Sequence, residues 1–122
     1  MPGLAFSFRH IPADEVGGDY LHASMAPDGS LRIVQVDVSG HGLAAAMTVA
    51  RLSGEIDRIV AAQPLIGPGE LLRQLNAYCL LTLTKHGIHA TAAVMLVDPR
   101  TGSARHASAG HPPVYIRGAS QG

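Results

Sequence analysis

The stretch Leu31-Arg32-Ile33-Val34-Gln35-Val36-Asp37-Val38-Ser39-Gly40-His41-Gly42 runs from aliphatic residues into a glycine turn, and its reading decides the fold. Leu31, Ile33, Val34, Val36 and Val38 make residues 31–38 a strong strand. Asp37 stands near the end of that apolar strand, where burying a carboxylate without partners is costly. The glycines after it let the main chain approach a ligand closely. From residue 43 the composition turns helical, and a helix N-terminus offers free N–H groups and positive potential. A strand-end carboxylate, a glycine turn and a helix start together make a usable site for a metal ion and a phosphate oxygen.

Working upstream, Pro27-Asp28-Gly29-Ser30 reads as a tight turn, because proline presets φ and Asp-Gly tolerates positive φ. Before it, Glu15-Val16-Gly17-Gly18-Asp19-Tyr20 opens a second extended run over residues 15–25. The two runs predict a β-hairpin. Asp19 and Asp37 lie at nearly equal distances from its turn, so both carboxylates fall at the same open end. Two hard oxygen ligands suit Mg²⁺ or Mn²⁺ better than zinc. A lone aspartate beside glycine is most often a turn residue; two matched ones argue for a site.

Working downstream, residues 43–62 are rich in Ala, Leu, Met and Arg and predict a helix. Its first turns are small and apolar all round, which predicts deep burial. Residues 63–69 hold Pro64, Gly67, Pro68 and Gly69 and read as a loop. A second helix is expected over 70–85, ended by His86-Gly87. Residues 90–97 form an apolar strand, Asp98-Pro99-Arg100-Thr101-Gly102 a turn, and 103–108 a further strand. Residues 5–9 and 114–116 add short strands at either end. Hairpins flanking a helical pair point to an antiparallel sheet with helices on one face, an α+β arrangement.

The 122 residues suit one domain, with 47% hydrophobic and 15% charged residues and a formal net charge of zero. No basic footprint for nucleic acid is present, and no apolar run is long enough to span a membrane. Residues 1–4 lack the features of a signal peptide. With Cys79 as its single cysteine, the chain forms no internal disulfide, and a cytoplasmic home is expected. Cys79 falls in the second helix and reads as a small buried thiol. The histidines at 10, 22, 41, 86, 89, 106 and 111 include no pair at metalloprotease spacing. His86 and His89 read as cap or surface residues, and His111 as structural near the site rim. His41, beside Asp37, is open between a structural turn residue and a role beside phosphate. Arg9 and Arg51 could meet a phosphate but read first as solvated.

In the same order, EVGGDY, DVSGHGLAAAM, Leu75-Asn76, DPRTG and ASAGHPP resemble the PPM-type phosphatases of the SpoIIE/RsbU group. The resemblance runs from about residue 2 to residue 117 and treats 1–122 as a single, C-terminally incomplete domain. It implies a PPM-type α/β sandwich, two antiparallel β-sheets flanked by helix pairs, here lacking the C-terminal strands. It implies metal-dependent hydrolysis of phosphoserine or phosphothreonine in proteins, with an anti-anti-sigma (STAS-type) regulatory protein as the bacterial substrate and sigma-factor regulation as the setting. By motif match, Asp37 would bridge two Mn²⁺ or Mg²⁺ ions, the Val38 carbonyl would bind one, and Asp19 would bind the other directly or through water. Asp19 and Asp37 would then act in catalysis through metal-bound water. Gly18, Ser39, Gly40, His41 and Gly42 would lie around the ligands or on the phosphate side. An upstream sensor domain and a dimer are also compatible with the resemblance.

The family's later glycine-aspartate, aspartate-glycine and final aspartate motifs do not occur in these 122 residues. Two divalent ions bring four positive charges, and Asp19 with Asp37 supply only two negatives. A module that binds a STAS-like partner without turnover is therefore the alternative expectation.

Overall fold

The computed structural model describes residues 19–39, 42–82 and 88–109. Strands β1 (Asp19–Met25) and β2 (Leu31–Val38) precede helices α1 (Gly42–Ala62) and α2 (Pro68–Thr82), and strands β3 (Ala90–Asp98) and β4 (Ser103–Ala109) follow. The strands form one antiparallel sheet in the order β1-β2-β3-β4. This is the expected α+β arrangement. The strands anticipated at 5–9 and 114–116 and the His86-Gly87 helix end lie outside the described residues.

Alternation along β2 divides the sheet into two faces. Arg32, Val34, Val36 and Val38 are buried against the helices, while Gln35 and Asp37 are exposed on the other face. The core joins Val34, Val36, Val38 and Val94 to Leu52, Ile56 and Ile59 of α1 and Leu71 and Leu75 of α2. Fully burying Ile56 or Ile59 contributes about 1.5–3 kcal/mol each. Leu21, Ile33, Met95 and Val97 follow Asp37 in register and share the open face.

Buried polar groups fix the layers. Arg32 is 1% exposed and donates to the carbonyls of Pro64 at 2.8 Å and Ile66 at 3.5 Å. It thereby ties β2 to the α1–α2 connection, and burial pushes its guanidinium below the usual arginine value. Between α1 and β1, Ser53 donates to the Tyr20 hydroxyl at 2.9 Å, and His22 Nε2 meets Asp57 at 3.1 Å. Ser53 and Asp57 are one helical turn apart, so a single side of α1 holds β1.

The helices differ from expectation in three respects. The first turns of α1 are not buried all round: Ala45, Thr48 and Leu52 face the sheet, while Leu43 and Met47 are 72% and 56% exposed. A single sheet can cover only one side of a helix. Helix α2 begins at Pro68 rather than residue 70. Proline suits a first helical turn because its missing N–H has no partner to lose there, and Leu71 N–H already bonds the Gly67 carbonyl at 3.0 Å. Cys79 is half-buried, and burial pushes its thiol upward.

Candidate metal anchor at the open end of the sheet

The β1–β2 register places Asp19 directly opposite Asp37, at the end of the hairpin away from its turn. The turn makes this exact. Asp28 Oδ1 accepts the Ser30 N–H at 3.0 Å, the Ala26 N–H bonds the Ser30 carbonyl at 2.8 Å, and Gly29 takes φ +90°. With the turn set, every later pair follows without slippage. The two carboxylates share one face, and both residues are exposed. The open face thus explains how an apolar strand carries Asp37: the residue is not among the buried hydrophobes but across the sheet from them.

Asp37 also pairs with Thr91 on its other side. Asp19, Asp37 and Thr91 therefore form a row across three strands. Val38 pairs with Ala90, its side chain buried against the helices. Beyond it, Ser39 N–H donates to the His89 carbonyl at 2.7 Å, and His89 N–H donates to Ser39 Oγ at 3.0 Å. Asp37, Ser39, His89, Ala90 and Thr91 line a cavity of about 170 Å³. Gly42 opens α1 with φ +81°. A Cβ there would meet open space, so the turn needs glycine for its backbone conformation, not for a close approach.

Gly18, Gly40 and His41 lie outside the described residues. Neither Thr91 nor His89 stood out as a site residue in the sequence. Their signal is the β2–β3 register, and nothing local announces that these strands are neighbours. His22 belongs to the β1–α1 seam through Asp57, and Arg51 is exposed.

Two carboxylates directly opposite one another bring negative charge to this end of the sheet, and a cation here would be attracted to both. Two carboxylates beside a main-chain carbonyl offer hard oxygen, which fits part of the ligand set of Mg²⁺ or Mn²⁺. Among the described residues, no group of three or more His, Cys, Asp or Glu side chains is placed to hold a metal ion. The donors therefore fit an anchor for a hard divalent cation and do not fit a closed zinc site.

The sequence model of the SpoIIE family, described as Stage II sporulation protein E, matches residues 27–122. Similar solved structures include two domain structures. The SiaA-PP2C domain of Pseudomonas aeruginosa is 26% identical with a TM-score of 0.69, covering 80% of this chain and 39% of that one. The RsbU and RsbW domains of Rv1364c from Mycobacterium tuberculosis are 28% identical with a TM-score of 0.68, covering 83% of this chain and 28% of that one. The chain thus spans less than two-fifths of either structure. None of the curated proteins matches it.

Proposed function

The chain belongs to the SpoIIE family of PP2C-type phosphatases, and from that premise we propose that residues 1–122 are the metal-anchoring part of a phosphoprotein phosphatase domain. The reaction is hydrolysis of phosphoserine or phosphothreonine, with a phosphorylated STAS-type regulatory protein as substrate in the cytoplasm. The observation that carries this reading is the cross-strand pair Asp19↔Asp37 in a chain that matches the family along most of its length.

In this reading Asp19, Asp37 and the Val38 carbonyl hold Mn²⁺ or Mg²⁺, two ions in the complete domain. Gly18, Ser39, Gly40, His41 and Gly42 surround the ligands or face the phosphate. Divalent ions at such a site lower the pKa of water and stabilise the charge that develops on the transferring phosphoryl group. The chain's own contribution is to set the two carboxylates at one height on one face, and to hold them there through the hairpin and the β2–β3 ladder. No protein nucleophile is required.

The test uses the full-length protein with Mn²⁺ and a phosphoserine peptide. Asp37→Asn is expected to lower kcat/KM by about 100-fold or more and to weaken Mn²⁺ uptake in calorimetry. Unchanged turnover and unchanged Mn²⁺ binding in that variant would sink the reading. The described residues hold no cluster of three metal-ligating side chains, and this favours one alternative, a module that binds a STAS-like partner without turnover. Capture of the phosphorylated partner with no phosphate release from the Mn²⁺-loaded protein would establish that second reading.

A further inference from the structure

Strand β2 ends at Val38, yet its contact with β3 continues one residue further. A regular hydrogen-bonded antiparallel pair exchanges two main-chain bonds. At Ser39 and His89 only the first is regular, the Ser39 N–H to the His89 carbonyl at 2.7 Å. The return bond runs from His89 N–H to Ser39 Oγ at 3.0 Å, where a regular rung would use the Ser39 carbonyl. A serine hydroxyl can replace a main-chain acceptor in this way and so allow the backbone to leave a ladder. Ser39 is a bend, and three residues later Gly42 opens α1 at φ +81°. Ser39 is thus the pivot at which the chain departs from the sheet while staying fastened to it. The fastening acts next to the Val38 carbonyl and two residues from the Asp37 carboxylate.

We infer that Ser39 is a positioning residue for the metal anchor: its hydroxyl closes the last rung to His89 and thereby fixes the Asp37 carboxylate and the Val38 carbonyl against β3. This rests on the metal-anchor reading above and selects the ligand-holding role for Ser39 over the phosphate-facing one. Ser39 and His89 are both exposed. Water can therefore satisfy the His89 N–H when the hydroxyl is removed, and the loss falls on the geometry of the corner rather than on folding.

The test compares Ser39→Ala, Ser39→Thr and Thr101→Ala in the full-length protein. Thr101 Oγ1 accepts the Ser103 N–H at 3.2 Å in the β3–β4 turn, so its loss removes a similar bond at the other end of the sheet. Ser39→Ala is expected to weaken Mn²⁺ binding about tenfold in calorimetry and to speed hydrogen exchange of the His89 amide. Its KM for a phosphoserine peptide at saturating Mn²⁺ should stay unchanged. Ser39→Thr should restore both the affinity and the slow exchange, and Thr101→Ala should alter neither. If Ser39→Ala does not fold, Ser39→Cys, a weaker acceptor, should show the same losses in smaller measure. Normal Mn²⁺ affinity in Ser39→Ala, alongside lost affinity in Asp37→Asn, overturns the positioning role alone. Unchanged His89 exchange in Ser39→Ala overturns the clamp itself. A wild-type protein that takes up no Mn²⁺ overturns this role together with the reading it rests on.

Discussion

The two ends of the sheet carry the same residue type for opposite purposes. At the turn end, Asp28 and Asp98 each spend a carboxylate on the chain itself. Asp28 accepts the Ser30 N–H; Asp98 accepts the Arg100 N–H at 2.9 Å and pairs with the Arg100 guanidinium. Hydrogen bonds from Ser30 and Arg100 hold these carboxyls below the usual aspartate value. At the open end, Asp19 and Asp37 face each other across β1 and β2. Neither sits inside a turn; each lies within a strand, opposite the other. An aspartate thus serves its own turn at one end and, in the proposed reading, anchors a cation at the other. What separates them is strand register, not local composition.

That contrast can be broken or sharpened by substitution. The largest difference is expected between Asp37→Asn and Asp98→Asn. The first should abolish nearly all Mn²⁺-dependent turnover; the second should leave kcat/KM within about twofold of wild type, since it lies at the far end of β3. Next come the glycines of the turn end. Gly102→Ala forces an L-residue to φ +73° with open space around its Cβ. It should cost about 1–2 kcal/mol in denaturant unfolding with Mn²⁺ affinity unchanged. A smaller effect concerns thermal unfolding. Asp37→Asn should erase the rise in melting temperature that Mn²⁺ gives the wild type. The smallest is the acid limb. Asp28 and Asp98 have folded pKa values below their unfolded ones, near 3.8, so their stabilisation is complete above that pH and fades as pH falls through the folded values. An Asp28→Asn, Asp98→Asn double variant should flatten that part of a stability–pH curve, modestly because both groups are solvent-screened.

Much of the hairpin was legible in the sequence, because its determinants are local. Pro27-Asp28-Gly29-Ser30 names its own turn, the aliphatic run names β2, and counting outward from the turn brings Asp19 to Asp37. The rest of the site was not legible for a physical reason. Thr91 and His89 reach Asp37 and Ser39 only through β2–β3 pairing, and that pairing joins segments separated by two helices. No propensity encodes such a contact. The exposed face of α1 was misread because Ala and Met are good helix formers in either setting, so composition could not tell a covered turn from an uncovered one. Pro68 was taken for a breaker where it is a helix starter. The two cases differ only in whether a residue four positions earlier needs its carbonyl partnered.

The pairing of Val38 with Ala90 has a consequence in time as well as in space. Each hairpin closes over a handful of residues and should form within about 1–10 μs. Registration of β2 on β3 must close a loop of about 50 residues, a non-local step of the kind that slows folding. The opposed aspartates therefore meet early, while the rung between Ser39 and His89 waits on closure of that long loop. A slow phase in the protection of the His89 amide, following fast protection within the two hairpins, would be the kinetic signature of that order.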